Sequence, residues 1–310
     1  TNLQVNQYWM CDDGRYGWKY VHAPNRLLRP INRKAEAAAK ADAAVKAEPA
    51  ASRGALARAD RAAAPSVDWS EMQYRVREGL DEVVSSHGAR SIALVVSPFA
   101  SNEETYLAAE WIRGVSSDAV LAMGPVPVKG EEETFKCGFT IRTEKCPNRK
   151  GVQTVLDASG SGSAIAFDEL LSRVKSGSVR GLLVVGGYPE TDILDAAADD
   201  LRKAQYLAVL DILANKLTDA ADLVLAGAAS VEREGSWVNH DGVLQHFDWA
   251  FPPPGEARAD GRIFAEMLGR VGMYRSCDVL AEMADKIPAF AVAKGGVLPA
   301  DGVKLSAIVV

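Results

Sequence analysis

The sequence is poor in the residues that most often carry chemistry. Its 310 residues include only four cysteines and four histidines. Cys11, Cys137, Cys146 and Cys277 are separated by gaps of 126, 9 and 131 residues, and no C-x-x-C pair occurs. That spacing argues against a disulfide framework, and it supplies no zinc or iron–sulfur signature within the chain, since such sites draw several thiolates from short spacings. Cys137 and Cys146 have no histidine near them in sequence to act as a base, so inert buried thiols are expected. His22, His87, His240 and His246 show no metalloprotease spacing, and no G-x-S-x-G elbow accompanies them. His240 and His246 are close enough to share a strand face, but structural histidines are the expectation. No run approaches the roughly 20 apolar residues of a membrane span, and no basic start leads into an apolar signal core. An excess of cations is also missing: 35 Lys and Arg face 41 Asp and Glu, giving a formal charge of −6. This balance argues against nucleic acid as a partner. A reducing, cytoplasmic setting is expected. The chain opens at Thr1 without Met, which leaves open that it is a fragment.

What remains is ordinary globular composition, 48% hydrophobic and 25% charged, divided into four zones. Residues 1–34 are aromatic and basic, with three of the eight tyrosines and two of the six tryptophans, the mark of a packing segment. Residues 35–66 form an alanine-rich insertion or linker: positions 35–64 contain 16 alanines, with Val45 and Leu56 as the only larger aliphatics. Its helix propensity is high, but it lacks an apolar stripe to anchor it, and large apolar groups for membrane insertion are missing. Residues 67–275 alternate between two periodicities. Helices are expected from Val67 to about Ser85, Asn102 to Gly114, Phe167 to Lys175 and Asp195 to Lys203. Strands are expected at Ser91–Ser97, Ala119–Met123, Arg180–Gly186, Tyr206–Leu210 and Asp222–Ala226, several of them continuous apolar runs buried on both faces. This grammar predicts an α/β fold with a doubly wound, mostly parallel sheet. Residues 276–310 read as a docking segment: a helix over Val279–Lys286, then small strands closing on the apolar run Leu305–Val310.

Three segments invite a ligand hypothesis. Gly160-Ser-Gly-Ser-Ala-Ile165 begins like a dinucleotide fingerprint but has Ile165 where a third small residue belongs, so it reads as a Gly/Ser loop. Val184-Val-Gly-Gly-Tyr-Pro-Glu-Thr-Asp192 lies at a strand end, where glycines let backbone approach a phosphate, or simply make a turn. The polar run Val231–Gln245 reads as a surface loop or a pocket rim.

Two separated stretches, VNQYWMCDDGRYGWKYVHAPNRLLRP and ADLVLAGAASVEREGSWVNHDGVLQ (Ala221–Gln245), together resemble one family: the large iron–sulfur subunit of NADH–quinone oxidoreductase, respiratory complex I. SPFASNEETYLAAEWIRG and VVGGYPETD fall between them in the family's order, so the resemblance covers most of the chain outside the alanine-rich insertion. It implies a degenerate molybdopterin-oxidoreductase-like domain over 67–275, preceded in 1–34 by a remnant of the iron–sulfur neck. Cys11 is similar to the last ligand of an extra [4Fe–4S] cluster. The preceding ligand triplet would lie upstream of residue 1, so any cluster would be shared with that sequence, and Cys11 is either one ligand or a relic. The resemblance extends to formate dehydrogenases, in which the segments matching Gly186–Asp192 and Glu234–Gln245 help to hold a pterin dinucleotide. The expectation is a cofactor-poor scaffold without molybdopterin or catalytic residues of its own. It would pack against flavin and iron–sulfur subunits of the NADH-oxidising arm, peripheral to the inner membrane and touching it only through the complex. Two alternatives are an active molybdopterin oxidoreductase of the formate dehydrogenase type and a free-standing nucleotide-binding or interaction module.

Overall fold

Runs of leucine and β-branched residues, apolar on both faces, make the centre of the molecule. The structure, a computed structural model, describes residues 12–33, 35–36, 68–136, 139–160 and 162–305. Its strands are β1 (Ile31–Asn32), β2 (Ile92–Val96), β3 (Val120–Met123), the small hairpin β4 (Glu133–Thr134) and β5 (Thr140–Ile141), β6 (Gly181–Val185), β7 (Tyr206–Asp211), β8 (Leu223–Ala226), β9 (Gly235–Val238), β10 (Val243–Phe247) and β11 (Val303–Lys304). The main sheet has the order β1-β8-β7-β6-β2-β3. Its last five strands are parallel, and β1 closes one edge antiparallel to β8. β9, β10 and β11 form a separate antiparallel sheet.

The helices are α1 (Asp12–Tyr16), α2 (Trp69–His87), α3 (Asn102–Val115), α4 (Arg149–Ser159), α5 (Phe167–Lys175), the short turns α6 (Asp192–Asp195) and α7 (Ala198–Leu201), α8 (Lys216–Ala220), α9 (Asp260–Met267) and α10 (Ser276–Lys286). In α2 the buried residues Trp69, Met72, Val76, Leu80 and Val83 recur every three or four positions, so one stripe faces the sheet. Asp68 caps its first turn by accepting the Ser70 N–H, and Gly88 at φ +93° ends it. One face of the sheet buries side chains of α2, α3, α4, α9 and α10, and the other buries those of α5 to α8 together with Leu27. The doubly wound arrangement read from the sequence is therefore present.

Local differences have physical reasons. The helix expected over Asp195–Lys203 is two turns, α6 and α7, with the Asp195 carboxylate turned aside to accept the Lys216 N–H of α8. Helix α4 lies outside the expected helices, although Val152, Val155 and Leu156 recur at helical spacing. Its Gly151 lies against the side chains of Asn102 and Asn148, where a Cβ would collide. After α10 the described residues form a 3-10 helix over Pro288–Ala293 and the strand β11. Leu305 is buried, whereas residues 306–310 of the expected closing strand lie outside the described residues. Most of the alanine-rich stretch, residues 37–67, also lies outside them.

The topology selects a place for function. From β2 the chain passes to β3, crosses back to β6 on the other side of β2, then proceeds outward through β7 and β8. Connections thus diverge between β2 and β6, the position at whose carboxyl end open α/β sheets bind ligands.

Candidate functional site

At the carboxyl ends of the strands the chain fills the space with its own side chains. Gly124, Gly186 and Gly227 are the first residues beyond β3, β6 and β8. A Cβ on Gly124 would lie 2.6 Å from the Tyr188 hydroxyl, one on Gly186 2.7 Å from the Asp211 carboxyl carbon, and one on Gly227 2.7 Å from Asp260 Oδ1. Each glycine therefore admits a side chain of this protein. The Tyr188 ring meets Phe99 edge-on at 5.4 Å, and its hydroxyl donates to the Pro125 carbonyl at 2.9 Å. At 3% exposure Tyr188 runs from the β6 end past Phe99, which follows β2, to Gly124 and Pro125 at the β3 end. Burial pushes its hydroxyl well above the ordinary tyrosine range.

Beside this plug lies an ion network without solvent. Arg233 Nη1 donates to Glu104 Oε2 at 2.6 Å and to Asp260 Oδ2 at 3.2 Å, while Nη2 donates to the Phe99 carbonyl. All three ionisable side chains are at most 2% exposed. One cation is shared by two acids and lies closer to Glu104. Asp260 is the acid that rises, chiefly through burial, against the pull of Arg233 and with the push of Glu104. Burial alone would lower Arg233, but the two carboxylates outweigh it and hold its pKa above the ordinary value. Asp211, at the end of β7, accepts the N–H groups of Gly187 and Ile212 and the Asn215 amide. Burial still raises it to about 6.

A second buried cluster fastens β9 to α3. Glu103 accepts the Ser236 N–H at 2.8 Å and the Ser236 hydroxyl at 2.6 Å, and burial raises its pKa to about 7. Asn102 donates to Ser236 Oγ, and Asn148 accepts the Val238 N–H. The stretch read as a surface loop or pocket rim is thus a hairpin, β9 and β10, whose leading charges Glu232 and Arg233 are buried. Sequence reasoning missed this because the partners lie far away: Glu104 is 129 residues from Arg233, and Arg26 is 206 from Glu232.

The two stretches that carry the family resemblance meet in space. Arg26 grips Glu232 through two parallel hydrogen bonds of 2.9 and 2.7 Å and also donates to the Val21 carbonyl. Tyr20 and Ser230 share a hydroxyl hydrogen bond, and Asn25 pairs with Ala214. Between this N-terminal segment and the loop after β6 runs an open cleft of about 620 Å³, with Lys19, His22 and Asn25 on one wall and Glu190 and Thr191 on the other.

The other sequence candidates lie apart. Cys11 and Cys137 are outside the described residues. Cys146 is a thiol whose pKa is pushed up to about 12, first by burial and then by Glu144. His240 and His246 do not join; they pair with their neighbours Asp241 and Asp248. His87 bonds Gln205, and His22 stacks on Phe251. Gly160 ends α4 and follows no strand, and Ile165 runs against β3, its N–H donating to Leu121. No group of three or more His, Cys, Asp or Glu able to hold a metal occurs among the described residues, nor is any of their helices long and apolar enough to cross a membrane.

This mostly parallel, doubly wound sheet with its strand-end glycines is consistent with a molybdopterin-oxidoreductase-like fold. Residues 148–270 match the family model described as molybdopterin oxidoreductase. Among curated relatives it is 30% identical to a nitrate reductase of Symbiobacterium thermophilum over 46% of this chain and 19% of the relative. Formate dehydrogenase H of Escherichia coli is 31% identical over 39% of this chain and 17% of its own length. The putative formate dehydrogenase YrhE of Bacillus subtilis is 28% identical over 42% and 14%. The matched region spans less than a fifth of these relatives.

The family implies a pterin dinucleotide with its metal. At the strand ends the residues do not fit such a group. Tyr188, Asp211 and Asp260 stand where its atoms would approach the glycines, and both terminal nitrogens of Arg233 already donate to protein acceptors.

Proposed function

We propose that this chain is a structural, electron-transfer-supporting part of an NADH–quinone oxidoreductase peripheral arm, a scaffold of pterin-enzyme ancestry that reacts with nothing itself. The observation that carries the reading is the closed crevice at the β2 and β6 ends, packed by Tyr188, Phe99 and the Arg233 ion network. A sheet closed in this way has rigid packing surfaces and no room for a reacting group at its usual position. The Arg26–Glu232 clamp supports it further, because it holds the N-terminal segment, which resembles the iron–sulfur neck of the complex I protein, firmly against the domain.

In this reading the scaffold covers neighbouring clusters, excludes water and docks flavin and iron–sulfur subunits, with burial and hydrogen bonding tuning potentials it does not itself contain. Cys11 contributes one thiolate to a [4Fe–4S] cluster completed by upstream sequence. The assembly lies on the cytoplasmic side and touches the membrane only through other subunits.

The test is purification of the native assembly with metal, pterin and cluster analysis. The expected result is co-purification with flavin and iron–sulfur subunits, no stoichiometric molybdenum, and loss of one reduced-cluster signal in electron paramagnetic resonance on Cys11→Ala. Stoichiometric molybdenum with a pterin dinucleotide would replace this reading with an active oxidoreductase of the formate dehydrogenase type. A monomer that never associates with redox subunits would replace it with an interaction module.

A further inference from the structure

The strand tips are not closed everywhere. Beside the Tyr188 plug, the cleft of about 620 Å³ is lined by residues that follow β6 and β7, among them Pro189 and Leu213, and by Pro24 of the N-terminal segment. Both walls are held by the body of the molecule. The N-terminal wall is fixed by the Arg26–Glu232 clamp, by the paired Asn25 and Ala214, and by a backbone bridge between Arg26 and Leu213. The opposite wall follows the buried Tyr188 and leads into α6. The cleft is thus preformed.

Its charges are unspent. Lys19 stands on the N-terminal wall and Glu190 and Asp192 on the other, and none of the three joins an ion pair or a side-chain hydrogen bond among the described residues. Their neighbours behave differently: Arg26 is clamped by Glu232, and Asp195 accepts the Lys216 N–H. His22 lines the same wall as Lys19. Its ring stacks on Phe251 at 6.0 Å and meets the exposed Trp18 edge-on at 6.3 Å, so an aromatic shoulder extends that wall.

The lining selects among ligands. A phosphate-bearing group suits it poorly on two counts. The Gly186 and Gly187 N–H groups already donate to the Leu210 carbonyl and to Asp211, and the two carboxylates of the cleft outnumber its one lysine. A compact small molecule would stay largely wet, because the cleft is open to solvent. An extended polypeptide matches better: it lays apolar contacts over Leu213 and the prolines and carries charges of both signs at side-chain spacing. We propose that the cleft seats an extended segment of a neighbouring subunit, with a basic side chain against Glu190 and Asp192 and an acidic one against Lys19. This rests on the scaffold reading above and names the place at which that scaffold holds a neighbour. Because these charges are exposed, they govern the rate of association and its salt dependence more than the lifetime of the contact.

The test uses the full chain in its native assembly. Thr191, which lines the cleft between the two acids, is replaced by the photo-reactive p-benzoylphenylalanine, and the cross-linked peptide is identified by mass spectrometry. The expected product joins the chain to one segment of a co-purifying flavin or iron–sulfur subunit, and that segment carries both a Lys or Arg and an Asp or Glu. Binding of that subunit, followed by surface plasmon resonance, is expected to weaken about ten-fold in Glu190→Lys with Asp192→Lys, while the circular dichroism stays that of the wild type. Reversing the basic residue of the captured segment to Glu is expected to restore binding to this variant. A cross-link to a nucleotide, only to this chain, or to nothing while the assembly stays intact overturns the inference and leaves the scaffold reading standing. Full binding by the charge-reversed variant does the same. A wild-type chain that retains no redox subunit overturns both.

Discussion

Glu103 shows what burial does to a single carboxyl. Its pKa rises from the ordinary glutamate range to about 7, mainly because no water solvates the charge. A carboxyl raised on folding favours the native state at low pH, where both forms are protonated, and that contribution is lost as pH climbs through the folded value. For Glu103 the decline begins near the ordinary glutamate pKa and is complete above about pH 7. Asp211, raised to about 6, acts in the same direction over a lower window. Unfolding with urea at pH 5 and pH 8 is therefore expected to show a wild type less stable at pH 8, with Glu103 contributing on the order of 2–3 kcal/mol. Glu103→Gln, which mimics the protonated side chain, should remove that part of the slope. A variant with an unchanged slope would show that Glu103 ionises normally.

The same scale governs the Arg26–Glu232 pair, which is nearly solvent-free at 4% and 1% exposure. Arg26→Leu leaves Glu232 buried without its cation, and the expected loss is about 3–5 kcal/mol in chemical unfolding. The double variant Arg26→Leu with Glu232→Leu should recover much of it, because two apolar groups leave no buried charge behind. If the single variant costs nothing, the clamp is not closed in solution.

Elements show where sequence pattern suffices and where it fails. β2, β6, β7 and β8 were legible because strands buried on both faces announce themselves as unbroken apolar runs. α5 was legible for a similar reason, its Leu170 and Val174 recurring at helical spacing. The candidate site was not legible. Ser-Val-Glu-Arg-Glu-Gly reads as solvated charge until Arg26, Glu104 and Asp260 arrive from remote parts of the chain. The strand-end Gly186 was read as admitting a phosphate or making a turn, and only the fold shows that the approaching group is Asp211. Gly186 gives the test at this scale. Gly186→Ala thrusts a methyl group onto the Asp211 carboxylate that caps the β6–β7 end, and a loss of about 1–3 kcal/mol is expected by urea denaturation. An alanine tolerated without cost would mean that the end of the sheet has slack.

At the scale of the whole molecule, the sheet is a body with both faces covered and its strand tips stoppered from within. Tyr188→Ala should open the crevice at a cost of about 3–5 kcal/mol, as for other buried aromatics. On the scaffold reading, the variant loses thermal stability and still acquires no molybdenum. Incorporation of the metal by this variant would show that a single side chain was all that separated the domain from a working enzyme.

β1 pairs with β8, and Ala35 lines a small pocket with Arg75, Glu78 and Gly79 of α2, so the polypeptide leaves the body beside the helix it later enters. Both ends of the alanine-rich stretch are thus anchored on finished structure. Tethering of this kind makes length a cheap variable, since closure entropy grows only logarithmically, by about 0.6 kcal/mol per doubling. Excising half of residues 37–67 is expected to leave the melting temperature within a few degrees of the parent. Natural variation would then be free to rewrite that stretch, or to hang a new recognition sequence there, without renegotiating the architecture behind it.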